Sequence, residues 1–266
     1  MPLRDLSEIG DDLAVYLEFY VGEAEAATDP ADVAAAAMTV SAYYEGLALT
    51  ELLLDANTDA FVHHLTRSGQ TRVWLLDRAE RTPEAAKALK TSYLRPFWDA
   101  VAAGQWGVAR AIAERETAEW TPRHEYEDDF CCAHALHRLV RGDGAEAVRP
   151  VLDRFEAALD GAADPRLDLL RVLLDPDPAA ADDAVHDLLD RHAAKVETLK
   201  EESEYWEEGD ALIYPSVFVF VEGLAWLALL ERVGLTMGDE YRFCPGLARH
   251  VEAAPFEPTA FPYLPL

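Results

Sequence analysis

Helix-start signals recur along this chain of 266 residues. Four times an Asp or a Thr stands directly before a Pro and opens a stretch with apolar residues at helical spacing, at Asp29-Pro30, Thr82-Pro83, Asp164-Pro165 and Asp177-Pro178. An Asp or Thr side chain accepts a hydrogen bond from a free N–H of the first helical turn, and Pro at the first helical position lacks only an N–H that would have no partner. Period-two alternation, which marks strands, is brief. The sequence therefore predicts an all-α fold of eight to ten antiparallel helices, arranged as a bundle or as a helix-pair stack.

The same signals divide the chain into predicted helices joined by short loops. They cover about residues 7–26, 30–55, 58–78, 96–103, 105–116, 124–140, 145–159, 165–174 and 178–200, with a further helix opening at Thr82. The apolar stretch 217–230 is expected to be a buried helix that begins near Pro215, because Glu222 interrupts it and it is too short to span a bilayer. No Gly/Ser-rich linker divides the chain, so we predict a single domain over residues 1–266. Two lobes, 1–120 and 121–266, are the alternative, since residues 115–123 form the least compact span.

The charge of the chain is strongly negative, with 50 acidic residues against 23 Lys and Arg and a net charge of −27. Only four lysines occur, Lys87, Lys90, Lys195 and Lys200. Nucleic-acid binding relies on Lys and Arg at phosphates, so we exclude a nucleic acid as partner. Two explanations of the charge remain open. An acidic, Lys-poor surface keeps a protein soluble in a salt-rich cytoplasm, and it also steers association with a basic protein partner.

Cysteine usage and the first residues indicate the compartment. The three cysteines are Cys131, Cys132 and Cys244. Neighbouring cysteines rarely bridge each other and three is an odd number, so we expect free thiols in a reducing interior. The opening residues, MPLRDLSEIGDDL, contain no basic region followed by an apolar run, so we expect no signal peptide. The sequence therefore predicts a cytoplasmic protein without membrane insertion.

One region of the sequence contains residue types that could carry chemistry, namely Asp128, Cys131, Cys132, His134 and His137. Their spacing of three and four residues lets pairs of them share a helix face, and a soft metal could bind such side chains. Four ligands cannot converge from one short helix, however, and no second Cys/His pair stands elsewhere at zinc-type spacing. No phosphate-binding, nucleophile-elbow or zinc-protease motif occurs. We therefore predict no enzyme activity, no metal and no cofactor, and keep a metal-dependent enzyme built around Cys131, His134 and His137 as the third hypothesis.

An aromatic residue surrounded by carboxylates forms a second region of interest. Trp206 lies in an acidic stretch that includes Glu202 and Glu204. An aromatic anchor within a ring of negative charge suits a basic protein partner. The alternative is a solvated helix end with one buried Trp.

Three pieces of the C-terminal half together resemble one protein family. They are the stretch EYEDDF at 125–130 leading into a helix that ends at Gly142, the acidic helix DDAVHDLLDRH that follows a Leu-rich one, and the sequence RVGL at 232–235 followed by Glu240-Tyr241, a Pro and Leu247. The chain resembles the Immunity protein 49 family, the predicted immunity proteins of bacterial polymorphic-toxin systems, over about residues 120–250. The sequence departs from the family pattern at Cys244 and in the Phe and Val content of 217–221. The immunity proteins of polymorphic nuclease effectors have a similar tail and are a neighbouring possibility.

The resemblance implies that the chain binds a co-encoded toxin domain, often a nuclease, and blocks its active site or substrate groove. The partner would be basic, because a nuclease groove must hold phosphates. Under this hypothesis the toxin-binding residues are Asp128, Asp129, Glu202, Glu204 and Trp206. A helical-repeat scaffold that binds another protein is the alternative. No heptad seam indicates an oligomeric state.

Overall fold

The computed structural model of the protein describes residues 5–78, 89–201 and 212–249. Within these ranges the chain forms eleven α-helices and no β-sheet, and the one isolated bridge joins Tyr241 to Cys244. The all-α prediction is confirmed. The helices are α1 (Leu6–Ala26), α2 (Pro30–Asp55), α3 (Thr58–Arg78), α4 (Arg95–Ala102), α5 (Trp106–Arg115), α6 (Glu127–Arg141), α7 (Ala145–Ala158), α8 (Pro165–Leu174), α9 (Pro178–Glu201), α10 (Val221–Arg232) and α11 (Gly246–Arg249).

Helix starts follow the caps that the sequence indicates. The Asp29 carboxylate accepts a hydrogen bond from the Ala31 N–H at 2.8 Å, and Asp164 and Asp177 accept equivalent bonds at the starts of α8 and α9. Each cap satisfies an N–H that has no partner inside its helix. At α1 the capping residue is Asp5, two positions before residue 7, where the sequence placed the start of this helix. The helix predicted to open at Thr82 lies outside the described residues.

Most neighbouring helices in the sequence also pack against each other. The first three helices form a layer with α2 between α1 and α3, while α3 also contacts α4 and α5. Helix α10 packs on α4 and thereby joins the C-terminal half to the N-terminal half. At this contact the ring centroids of Trp98 and Trp226 lie 5.2 Å apart. The main core cluster includes residues on both sides of position 120, among them Leu49 and Leu170. No helix in the described ranges has the combination of length and apolar character that a bilayer crossing requires.

The start of the apolar C-terminal helix differs from the prediction. Residues Pro215–Val217 form a single 3₁₀ turn, and α10 begins only at Val221. Between them Phe220 is extended, and its backbone N–H donates to the Phe243 carbonyl at 2.8 Å. This contact with a distant loop competes with helix formation, because it uses the N–H that a continuing helix would need. Phe218, read from the sequence as core, is 44% exposed.

The crossing of α3 with α4 and α5 depends on Gly69. A Cβ atom added at this position would lie 2.8 Å from Val108 Cγ1 and 3.0 Å from Ala100 Cβ. Gly69→Ala is therefore expected to lower the free energy of unfolding by roughly 1–3 kcal/mol, the usual cost of overpacking, despite the better helix propensity of Ala. Urea unfolding followed by circular dichroism measures the effect.

Gly22→Ala is the matched control for this substitution, since it also lies inside a helix but has no atom within 4 Å of the added Cβ. Helix propensity alone should raise the free energy of unfolding by about 0.5–1 kcal/mol there. Equal effects at the two glycines would show that the close crossing of α3 does not limit the residue at position 69.

Candidate interaction surfaces

The outward face of α1 carries an exposed apolar patch. Val15, Tyr16 and Phe19 are 67%, 50% and 58% exposed. The rings continue onto α2, because Tyr16 and Tyr20 both stack on Tyr43, with centroids 5.9 and 5.5 Å apart. The opposite face of α1 is buried. Large exposed apolar patches are characteristic of interaction sites, which makes this one a candidate contact surface.

Carboxylates border this patch along the same helix. Glu8, Asp12 and Glu23 follow one another at spacings that keep them in line with Phe19 on the outer face, since residues three or four apart lie one above the other on a helix. Helix α1 contains six carboxylates and no basic residue. We call the three apolar side chains Val15, Tyr16 and Phe19, with their border of Glu8, Asp12 and Glu23, the α1 face. It can present an apolar centre within a negative rim.

The N-terminal turn of α6 holds two of the sequence-predicted site residues, Asp128 and Asp129, and both are half-buried. Asp129 accepts a hydrogen bond from Arg166 at 2.8 Å, so its charge is already compensated. Asp128 has no ion-pair or hydrogen-bond partner among the described residues. Beside it Tyr126 is 78% exposed. The structure thus brings together the unpaired carboxylate of Asp128 and the exposed ring of Tyr126 at this turn. The other predicted site residues, Glu202, Glu204 and Trp206, lie outside the described residues.

A cleft of about 760 Å³ opens between α2, α9 and the segments 89–95 and 212–217. Lys90, Arg95 and Lys195 line it, and an adjoining cleft of about 340 Å³ continues from Arg95 to Arg166. Both lysines are exposed and neither forms an ion pair within the described part of the chain. Glu45 and Glu222 also line the smaller cleft, and Arg95 and Arg166 are paired with carboxylates. The positive charge available to an anionic group is therefore that of Lys90 and Lys195 in the larger cleft.

The histidine in these clefts is held neutral. Burial lowers the pKa of His192 to about 4, and the nearby charges of Lys195 and Arg242 act in the same direction. Its ring stacks on Phe220 at 3.9 Å between centroids. At neutral pH this ring can pack and accept a hydrogen bond, but it carries no charge.

Under the clefts lies a buried carboxyl pair. Asp99 is fully buried and accepts a hydrogen bond from the Ser68 hydroxyl. Burial raises the pKa of Asp99 well above its usual value, and the neighbouring Glu45 carboxylate raises it further. Arg95 lies 3.5 Å from Glu45 and supplies the compensating charge. This group joins α2, α3 and α4 by polar contacts within the core.

The cysteines and histidines of α6 do not converge on one point. Cys131 and Cys132 are buried, and burial raises the pKa of the Cys131 thiol to about 11. His134 accepts a hydrogen bond from Arg138 at 3.0 Å. His137 is buried against Phe97, and the centroids of the two rings lie 5.1 Å apart. The described residues contain no group of three or more His, Cys, Asp or Glu side chains that could hold a metal ion. Cys244, also buried, lies against α10 near Gly223.

Sequence reasoning missed the α1 face. The helix was predicted over residues 7–26, but no role was given to Val15, Tyr16 and Phe19. The sequence does contain an indication of this surface, because α1 has apolar residues on more than one of its faces. Such a distribution is expected of a fully buried helix. Because α1 packs mainly on α2, the second apolar side is left exposed.

A protein-family model described as Immunity protein 49 matches residues 24–247. The match runs from the end of α1 to the start of α11. No curated protein and no solved structure matches the chain significantly.

Proposed function

Because the chain belongs to the Immunity protein 49 family, and so has an immunity function, we propose that it neutralises a co-encoded bacterial toxin domain, a nuclease, by covering its active site. The observation that carries the proposal is the family match over residues 24–247. An inhibitor that acts by binding needs a rigid surface of suitable chemistry, and it does not need a catalytic group of its own.

The charge of the chain supports a nuclease as the target. A groove that binds nucleic acid is basic, because it must neutralise phosphates. A protein of net charge −27 is attracted to such a groove and competes with the substrate for it. The acidic surface would thus accelerate association as well as exclude the nucleic acid.

The chemistry of the buried groups supports a binding role rather than an enzymatic one. Nucleophilic catalysis by cysteine needs the thiolate, and burial holds the Cys131 thiol protonated at neutral pH by raising its pKa to about 11. The neighbouring His134 is engaged by Arg138. We therefore propose that the protein acts stoichiometrically.

Titration calorimetry with the toxin domain encoded beside this chain tests the proposal, at salt concentrations of about 50 mM and about 300 mM. We expect one toxin per chain and a nanomolar or tighter dissociation constant, with an affinity that falls as salt rises, since the contact is between opposite charges. The nuclease activity of the toxin should disappear at equimolar ratio.

Absence of binding, with both proteins folded, would contradict the proposal and favour a helical-repeat scaffold with another protein partner. Binding without loss of nuclease activity would reject coverage of the active site while keeping the immunity role.

A further inference from the structure

We propose that the α1 face is the surface that meets the toxin, and that it docks against a basic groove of the toxin domain. This inference rests on the proposed function and assigns to it a contact surface and a partner chemistry. The residues Asp128, Asp129, Glu202, Glu204 and Trp206, predicted from the sequence, define the competing surface.

The arrangement of the α1 face matches that of an interface centre. Binding energy concentrates in a few large side chains, Tyr and Trp above all, that become fully desolvated inside a rim of polar residues. Tyr16 and Phe19 supply the anchors, and Glu8 and Glu23 supply exposed rim charges one helical turn or more away on the same side. No other described helix carries three exposed large apolar residues within five positions.

The anchors are held in position before binding. Tyr16 stacks on Tyr43, and Phe19 contacts the edge of Tyr20 with centroids 5.2 Å apart. Restricted side chains lose less conformational freedom when a partner covers them, which favours affinity. The helix itself is anchored by Ile9 and Leu13, which are fully buried on its other side.

The charge of α1 determines the kind of partner. With six carboxylates and no basic residue, the helix would repel a second copy of this chain, because the copy would bring the same carboxylates to the contact. A basic groove pairs with them instead and receives the aromatic side chains at its centre. A toxin domain that acts on nucleic acid has a basic groove of this kind, because it must bind phosphates.

The α1 face lies outside the region that the family model matches, which begins at residue 24. The family match therefore does not define this surface, and recognition through it can differ between family members. A protein that must select one toxin among related ones needs such an individual contact.

The test uses the full-length protein and the toxin domain encoded beside it, with binding measured by calorimetry and surface plasmon resonance. The double variant Tyr16→Ala/Phe19→Ala should lower the affinity at least about 100-fold, since it removes both anchors. Tyr126→Ala/Asp128→Ala is the matched control at the competing surface and should change the affinity less than about threefold. All four side chains are at least partly exposed, and circular dichroism verifies that each variant is folded.

A charge-reversal pair tests the rim. Glu8→Lys/Glu23→Lys should slow association at least about tenfold at low salt, with the difference shrinking at high salt. Asp153→Lys/Asp187→Lys changes the net charge equally at exposed positions on α7 and α9 and should have a smaller effect.

The outcomes separate this inference from the proposed function. If the unaltered protein does not bind the toxin, the proposed function fails. If the unaltered protein binds and both α1 variants bind equally well, only the contact surface assigned here is overturned. Loss of binding in Tyr126→Ala/Asp128→Ala, with binding retained in the α1 variants, would transfer the contact to the N-terminal turn of α6.

Discussion

Replacing Arg72 with Ala is expected to lower the free energy of unfolding by about 3–5 kcal/mol, because it removes the buried guanidinium that bonds to the Glu116 carboxylate. Arg72 is buried in α3, and its guanidinium donates to Glu116 Oε1 at 2.9 and 2.5 Å. It also donates to the Lys90 carbonyl at 3.0 Å. One side chain therefore ties α3 to the end of α5 and to the segment that precedes α4.

Two comparison variants identify the cause of this loss. Arg110→Ala removes an exposed partner of Glu114 within one helix, and exposed pairs of this kind contribute only about 0.3–0.5 kcal/mol. The double variant Arg72→Met/Glu116→Leu removes both charges, so it should be considerably more stable than Arg72→Ala. Urea unfolding at pH 7 measures all three. A loss below about 1 kcal/mol for Arg72→Ala would contradict a buried, energetically coupled pair.

Acidification from pH 7 to pH 5 is expected to remove roughly 2 kcal/mol of stability for each of His64 and His137, because each pKa unit corresponds to about 1.4 kcal/mol. Burial lowers the pKa of His64 to about 4 and that of His137 to about 3, from an ordinary value of 6.5. At a pH between 6.5 and the lowered pKa, each of these histidines binds a proton in the unfolded chain but not in the folded one. Stability is therefore complete above pH 6.5 and falls as the pH drops towards the folded-state pKa.

The buried carboxyl group of Asp99 and the half-buried one of Glu222 act in the opposite direction. Burial raises the pKa of Asp99 and of Glu222, so the folded protein retains their protons at a pH where the unfolded chain releases them. Their contribution to stability grows on acidification and offsets part of the histidine effect. The net pH dependence of the unaltered protein thus mixes both contributions, and a single-residue comparison is needed.

His137→Leu provides that comparison. Both ring nitrogens of His137 lack a hydrogen-bond partner within the described residues, and an unpaired buried polar group costs about 1–3 kcal/mol, so the variant should be at least as stable as the unaltered protein at pH 7. Its advantage should increase by roughly 2 kcal/mol at pH 5, because the variant has no imidazole to protonate. Parallel stability curves for the two proteins between pH 5 and pH 7 would contradict a depressed pKa at this position.

The parts of the fold that were predictable from sequence are governed by local chemistry. The starts of α2 and α8 follow from Asp29 and Asp164, whose side chains accept a hydrogen bond from an N–H two residues away. The start of α10 was not predictable in this way, because the Phe220 N–H bonds to Phe243 through the tertiary fold. Local signals determine a helix start only where no distant group competes for the same N–H.

The candidate surfaces were less predictable than the fold for a related reason. Asp128 and Asp129 look equivalent in sequence, yet only Asp129 is paired with an arginine 37 residues away. The exposure of Phe19 likewise depends on which sides of α1 other helices leave uncovered. Carboxylates and aromatic rings indicate a binding surface in general terms, but only the packing of the helices determines which of them remain available.

The burial of Cys131, Cys132 and Cys244 has a consequence for the behaviour of the protein under oxidative stress. A thiol reacts with peroxide or an electrophile as the exposed thiolate. Burial raises the pKa of Cys131 to about 11 and that of Cys244 to about 12, so both remain protonated as well as covered. Oxidants would therefore reach these sulfur atoms only during transient openings of the helices, so the folded protein should resist thiol oxidation.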